Sequence, residues 1–216
     1  MDEVTLYGAS YSVYVRIARA TLGEKGVPFR LVEVDIFGDA EAKARHLARH
    51  PFGRIPAFRH GALELYETSA ICRYVDEAFA GPPLQPSTAA ARARMAQAIS
   101  ILDNYAYRTL VWDIYVERVA RPAEGGVADE ARIAAALPLA RTTLAALDRL
   151  APDAAWLAGA DLTLADLHAA PMIAYFLEAS EGRMLGDWPR LASWWRAISA
   201  RPAVAATLGS IPEDRQ

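Results

Sequence analysis

The sequence predicts two domains, an α/β domain with the element order βαβαββα and, after it, a domain built only of helices. Short apolar runs with strand composition occur within the first 66 residues, with a helical pattern between the first two. The proline-dense segment GPPLQP, residues 81–86, follows the last of these elements. Beyond it, apolar residues recur at helical spacing. We therefore expect an α/β domain over residues 1–80, a linker over 81–87 and a helical domain over 88–216.

The elements of the first domain follow from apolar spacing and turn residues. Residues 4–7 (VTLY) read as a strand closed by Gly8, and the helical pattern that starts at Val13 ends at Gly26. A second strand over residues 29–34 would complete a parallel βαβ unit. The remaining elements are a short polar helix over residues 39–49, a hairpin with strands at 57–59 and 63–66, and a helix from Thr68. This order is that of the thioredoxin fold.

The second domain shows only helical patterns. We expect one long helix over residues 88–120, stopped near Pro122, and an amphipathic helix over 129–150. Thr163 and Asp166 have the spacing of a capping box at the start of a third helix. We therefore interpret Asp166 as a capping residue rather than a catalytic acid. A last major helix is expected from Pro189.

Composition excludes several classes of function. The chain has 216 residues, a net charge of −3 and no run of Lys or Arg, which argues against nucleic acid as a partner. No apolar stretch approaches the roughly 18 residues that span a membrane, and the first residues lack a signal pattern, so we expect a cytoplasmic protein without membrane contact. The single cysteine, Cys72, precludes an intrachain disulfide. The four histidines share no metal-binding spacing, and we expect no metal.

Residues 50–71 carry the clearest functional signal. The step from Ile55 to Pro56 before a short strand is typical of a sharp corner with a cis bond. Such a corner leaves the main-chain N–H and C=O of Ile55 free to pair with an extended peptide. Glu67 and Thr68 open a helix for which we expect a hydroxyl residue as N-cap. The free N–H groups of this helix start attract a carboxylate, and the Glu67 carboxylate suits an ammonium. These features fit the amino-acid head of a short peptide.

This pattern resembles the glutathione-binding half of the cytosolic glutathione S-transferases. The family has an asparagine-proline-phenylalanine-glycine segment that ends in isoleucine- or valine-proline, and residues 50–56 here read HPFGRIP. The family's later glutamate-serine-x-alanine-isoleucine segment corresponds to residues 67–71, ETSAI. His50 replaces the usual asparagine and Thr68 the usual serine. The resemblance spans nearly the whole chain and is closest to a bacterial, serine-type member of the phi or theta kind.

The resemblance implies that a hydroxyl at the start of the first helix ionises the thiol of glutathione. In serine-type classes the catalytic serine lies five residues after the residue that ends the first strand, and counting from Tyr7 selects Ser12. Ser12 is also a natural helix N-cap, and the two roles are compatible. Ser10 is the second candidate for the donor. Tyr7 is the third, since its place in the strand pattern favours the core.

Further site residues are expected around this centre. The main chain at Ile55 and Pro56 and the clamp of Glu67 and Thr68 would hold the tripeptide. Lys43 and Arg54 would contact its glycine carboxylate, although they are equally consistent with solvated surface charges. The second-substrate pocket would lie over the helical domain, where spacings of seven and three place three aromatic residues on one helix face. Its predicted residues are Tyr105, Trp112 and Tyr115, with Tyr11 and Phe176 closing it. The alternative is that these aromatic residues are core between helices, which is favoured slightly for Trp112.

The predicted function is the conjugation of glutathione, as co-substrate, to small apolar electrophiles by a homodimer. Phe52 would serve the dimer, because some classes insert an aromatic residue from this loop into the neighbouring subunit. Three alternatives stay open at the level of enzyme chemistry: a glutathione-dependent isomerase, a dehalogenase or a peroxidase on the same scaffold. A member that binds glutathione or other ligands without catalysis is the alternative of another class.

Overall fold

A computed structural model describes residues 2–38, 40–150 and 154–208 of the chain. The chain divides into two compact units. The first contains the residues up to Pro83 together with those from Pro202 onward, and the second runs from Leu84 to Arg201. The boundary after Pro83 lies inside the linker predicted from the prolines.

The first unit is built on a four-stranded mixed sheet with the order β2-β1-β3-β4. Strand β1 pairs in parallel with β2 and antiparallel with β3, which forms a hairpin with β4. The thioredoxin-like fold is therefore confirmed. Strand β2 is shorter than the predicted 29–34 because only three residues of this edge segment pair with β1. The strands are β1 Val4–Tyr7, β2 Arg30–Val32, β3 Ala57–His60 and β4 Leu63–Tyr66.

This unit also has three helices before its boundary at Pro83, α1 (Val13–Glu24), α2 (Ala40–Leu47) and α3 (Thr68–Ala78). Helix α1 ends as predicted, because Gly26 takes a φ of 65° and lets the Val27 N–H return to the Leu22 carbonyl at 2.9 Å. Helices α1 and α3 pack together over the strands. The buried core of this unit includes Val4, Leu6, Val15, Ala18, Leu22, Phe58, Ile71 and Val75.

The regular elements of the second unit are all helices within its described residues, as the sequence predicts. Helix α4 (Ala89–Ile101) continues without a break into a π-helical segment, Leu102–Ala120, hereafter the π segment, and ends in the turn Arg121–Ala123. The Arg121 N–H donates to the Val116 carbonyl, five residues back. The π segment packs against α5 and α6. The other helices are α5 (Glu130–Arg149), α6 (Leu164–Glu178), a 3₁₀ segment at Ser180–Asp187 and α7 (Pro189–Ser199).

The predicted capping box at the start of α6 is confirmed, with Thr163 at the N-cap and Asp166 as its acidic partner. Asp166 is fully buried and accepts from the N–H groups of Thr163 and Leu157, each at 2.8 Å. Its other donors are the Thr163 hydroxyl and Trp194 Nε1, each at 2.9 Å. Burial raises the pKa of this carboxyl, while the hydrogen bonds act in the opposite direction. Asp166 therefore holds the start of α6 to the segments that carry Leu157 and Trp194, and we do not interpret it as a catalytic acid.

The last described helix, α8 (Pro202–Leu208), belongs to the first unit. It packs so closely against α1 that a Cβ added to Gly23 would lie 2.9 Å from the Cβ of Ala203. The Arg19 side chain on α1 also donates to the Ala206 carbonyl, at 3.4 Å. The prediction assigned residues 88–216 to the helical domain, and α8 corrects that assignment because its apolar face is buried on α1. Residues 209–216 of the predicted domain lie outside the described residues.

Candidate active site

The residues singled out by the sequence in the first unit meet at one end of its sheet. In the strand register Tyr7 pairs with Ala57, and Ala57 pairs with Tyr66. These three residues are the last of β1, the first of β3 and the last of β4. The loop with Ser12, the corner at Ile55 and the clamp at Glu67 therefore all leave the sheet from the same row.

Close packing at Gly8 brings two of these segments together. A Cβ on Gly8 would clash with the Val15 side chain and lie 3.3 Å from the Ile55 Cβ and 3.6 Å from the Pro56 Cα. The loop that leads to Ser12 thus lies directly against the corner. The sequence predicts Gly8 only as the end of a strand. Any larger residue there would push the two halves of the candidate site apart.

Ser12 occupies the N-cap of α1. Its carbonyl accepts the first helical hydrogen bond, from the Arg16 N–H at 2.9 Å, with backbone angles of −65° and 130°. Its half-buried side chain makes no capping hydrogen bond. An N-cap serine ordinarily uses its hydroxyl to satisfy the N–H groups of the first turn. At this position the hydroxyl and the helix N-terminus both stay available to an anion.

Ser10, the second candidate, is held through its main chain. Its N–H donates to the Glu33 carboxylate at 3.2 Å, and its carbonyl accepts from Arg16 Nε at 3.3 Å. Arg16 is buried, with 3% of its surface exposed. Arg16 and Glu33 therefore fix the course of the loop that carries both serines. Sequence reasoning missed them, although an arginine within the apolar face of α1 is a signal that could have drawn notice.

The two tyrosines near this loop pack inward. Tyr7 is buried, and the Arg49 guanidinium carbon lies 4.5 Å from the centre of its ring. Tyr7 thus lies in the core, as the strand pattern predicted. Tyr11 is half-buried and packs against the apolar core of the first unit.

The corner before β3 has the predicted form, since the bond between Ile55 and Pro56 is cis. Among the described residues, neither the N–H nor the C=O of Ile55 has a hydrogen-bond partner, although its side chain is buried. The preceding carbonyl, that of Arg54, lies 2.6 Å from Nε2 of His46. His46 was not among the predicted site residues, because its partner lies eight positions further along the chain.

Glu67 and Thr68 form the third part of the site. Glu67 has a φ of 70°, in the left-handed region that a residue with a side chain rarely adopts, and such strain clusters at ligand sites. Helix α3 begins at Thr68, and its first helical bond runs from the Ile71 N–H to the Glu67 carbonyl at 3.0 Å. The N–H groups of the first turn therefore point out of the helix end without helical partners. The hydroxyl N-cap expected here is wrong, because Glu67 is the N-cap and Thr68 the first helical residue.

Lys43 and Arg54 are both exposed. Lys43 lies on α2, and Arg54 directly precedes the corner. Their long side chains keep many rotamers at such positions, so exposure is consistent both with contact to a carboxylate and with ordinary solvated charge. Their contact with a glycine carboxylate stays a prediction.

The aromatic residues of the second unit differ in exposure. Tyr105 and Trp112 are exposed by 51% and 38%, whereas Tyr115 is buried and its ring centre lies 4.4 Å from that of Tyr175. The predicted common face is therefore wrong for Tyr115, because spacings of seven and three assume 3.6 residues per turn and the π segment is wound more widely. Phe176 is fully buried, so its side chain presents no surface to a ligand in this structure.

Comparison with known proteins identifies the family. A curated relative, glutathione S-transferase 3 of Zea mays, is 31% identical over 98% of this chain and 96% of its own length. This chain belongs to the glutathione S-transferase family. The family models for the N-terminal and C-terminal domains of glutathione S-transferase match residues 6–83 and 103–202. The predicted activity is thereby confirmed: the chain is a transferase that conjugates glutathione.

Solved structures of glutathione transferases share the fold over nearly the whole chain. Glutathione transferase F7 from Populus trichocarpa is 28% identical with a TM-score of 0.83, covering 96% of this chain and 100% of that one. Maize glutathione S-transferase I, solved with an atrazine–glutathione conjugate, is 26% identical with a TM-score of 0.84, covering 95% and 96%. These relatives are plant proteins, so a bacterial origin for this chain stays a prediction.

Among the described residues, every helix is either too short or too polar to span a membrane. No group of three or more His, Cys, Asp or Glu side chains in the same ranges is arranged to hold a metal ion.

Proposed function

We propose that this glutathione transferase is of the serine type and phi-like, with Ser12 as the donor that ionises the thiol. The observation that carries the proposal is the Ser12 hydroxyl, placed at the N-cap of α1 without a capping bond of its own. The thiol of glutathione has a cysteine-like pKa near 8.5, so only a few per cent is thiolate at neutral pH. A hydroxyl donor and a helix N-terminus both favour the anion.

The tripeptide is placed by three groups in the same row of the sheet. The main chain of Ile55 pairs with its backbone like an added strand. The first-turn N–H groups at Thr68 receive its α-carboxylate, and the Glu67 carboxylate pairs with its ammonium. Lys43 and Arg54 supply positive charge for the glycine carboxylate. This orientation brings the thiol toward Ser12.

The second substrate is a small apolar electrophile. The thiolate sulfur bonds to an electrophilic carbon, a leaving group such as halide departs with its electron pair, and the thiol proton passes to solvent. The conjugate held by the maize relative supports this class of chemistry. In the second unit the exposed rings of Tyr105 and Trp112 are the pocket candidates that offer surface to such a ligand, whereas Tyr115 and Phe176 are buried. The role of Tyr11 in this pocket stays a prediction.

We also propose a homodimer. Phe52 has 69% of its surface exposed, although it contacts Tyr66 and His50 edge-on with ring centres 6.3 and 6.1 Å apart. Leu47, close to it in the chain, is exposed by 48%. Large apolar side chains grouped on one surface are typical of an interface between proteins.

The test is a calorimetric titration with glutathione followed by turnover with a panel of aromatic and alkyl halides. Micromolar to millimolar binding together with halide-dependent loss of free thiol is the expected result. Binding without turnover on any electrophile would favour the non-catalytic alternative. The absence of binding would overturn the proposal.

A further inference from the structure

The loop between α2 and β3 is closed by one side chain, that of His46. The His46 carbonyl accepts from the N–H groups of Arg49 and His50, at 2.9 and 3.0 Å, so its main chain ends the helix. Its ring spans the loop and meets the Arg54 carbonyl at 2.6 Å. His46 is buried, with 3% of its surface exposed. Buried polar side chains are normally hydrogen-bonded, and Nε2 supplies this bond for His46.

The direction of this hydrogen bond is set by chemistry. A carbonyl oxygen only accepts, so Nε2 of His46 must carry the hydrogen. Both the neutral tautomer with the proton on Nε2 and the imidazolium satisfy this condition. Nε2 of His46 is therefore the donor of this bond, and the Arg54 carbonyl is its acceptor.

The hydrogen bond from His46 also determines the direction of the Ile55 N–H. The amide between Arg54 and Ile55 is planar and trans, so its C=O and N–H point in opposite directions. Because His46 holds the Arg54 carbonyl on the inner side of the loop, the Ile55 N–H is turned to the other side. That N–H is one of the two main-chain groups that the proposed function assigns to the tripeptide.

We infer that His46 is a positioning residue for glutathione: through the Arg54 carbonyl it orients the Ile55 N–H toward the tripeptide. This inference rests on the proposed function, since it concerns the same binding corner. His46 does not touch the ligand. Its contribution is preorganisation, which appears in affinity because an unfixed peptide group must be ordered on binding.

The test compares four variants in the full chain. His46→Phe keeps a ring but has no donor, and His46→Asn carries its amide too close to the main chain to replace Nε2. His46→Gln places an amide N–H near the position of Nε2. His60→Phe is the matched control, because it removes a hydrogen bond of 2.8 Å to the Tyr74 hydroxyl elsewhere in the same unit.

The expected result is a weaker Kd and a higher KM for glutathione in His46→Phe and His46→Asn, by about three- to tenfold, the value of one neutral hydrogen bond. Their kcat at saturating glutathione should stay within about twofold of the parent. His46→Gln should recover most of the affinity, and His60→Phe should bind glutathione like the parent. A pH profile of kcat unchanged in shape is expected for all four.

Three outcomes would overturn the inference. Parent-like glutathione affinity in His46→Asn would show that the donor position does not matter, and a His46→Gln variant as weak as His46→Asn would show that only the ring matters. The contrast between Asn and Gln decides the matter even if His46→Phe does not fold. Failure of the parent itself to bind glutathione would remove the proposed function and this inference with it.

Discussion

Replacing Ser12 by alanine should separate thiol activation from glutathione binding. The N-cap hydroxyl makes no capping bond, so its removal leaves the helix bonds of α1 intact, including that from the Arg16 N–H to the Ser12 carbonyl. A hydrogen bond to a charged group contributes about 1.5–3 kcal/mol. The helix N-terminus stays in place and retains its own smaller share of about 0.3–1 kcal/mol.

The loss therefore corresponds to a rise of about one to two units in the pKa of the bound thiol, toward about 8.5. Turnover with an aromatic halide at neutral pH should fall roughly 10- to 200-fold. Glutathione affinity should change by less than about threefold, because the clamp and the corner are untouched. The thiolate absorbance in the ultraviolet, followed from pH 5 to 10, measures the titration directly.

Ser10→Ala is the matched control, since it is the same substitution in the same loop and the contacts that fix Ser10 are made by its main chain. It should retain parental turnover and titration. A Ser12→Ala enzyme with the parent's turnover and titration would refute the assignment. The donor would then have to be sought at Ser10 and next at Tyr11.

Three further predictions concern the clamp, the dimer and stability. Glu67→Ala should weaken glutathione binding about tenfold or more by calorimetry, while Glu64→Ala on the neighbouring strand should not, and equal affinities would contradict the clamp. Phe52→Ser should shift light scattering at micromolar concentration from a dimer toward a monomer mass; a parent that is already monomeric would defeat the interface. Burial lowers the pKa of His168 to about 4 from an ordinary 6.5, so the unfolded chain binds the proton more tightly and stability is lost as pH falls from about 6.5 through 4. Chemical denaturation measures the free energy of unfolding, which should fall by about 3 kcal/mol less in His168→Gln than in the parent between pH 7.5 and 4. An equal fall in both proteins would exclude His168 as the cause.

Much of the first unit could be predicted from the sequence because its signals are local. The short apolar run VTLY, the glycine after α1 and the isoleucine-proline step each determine their own few residues, and the structure confirms them. The start of α3 was predicted for the same reason, although its cap was assigned one residue too late. Glu67 is the N-cap because the chain turns at its positive φ. A glutamate in the sequence does not indicate that conformation.

What the sequence could not show depends on partners distant in the chain. The residues around His46 do not indicate that its ring will contact the Arg54 carbonyl. The residues around Arg16 likewise do not indicate that its side chain will donate to the Ser10 carbonyl. The winding of the π segment is likewise invisible to an apolar pattern, which is why Tyr115 was placed on the wrong face. These features arise from tertiary packing, which overrides the local period.

The order in which the chain is made gives α8 a particular consequence. This helix comes at the end of the described chain yet completes the surface of α1, whose other end presents Ser12. During synthesis the segment up to Pro83 leaves the ribosome long before α8 exists, so the apolar face of α1 beside Gly23 stays uncovered while the helical unit is still being translated. Helix α1, with Ser12 at its N-cap, therefore gains its contact with α8 only after the helical unit has been made. A chain released early would keep the predicted glutathione-binding residues of the first unit but leave α1 without that contact.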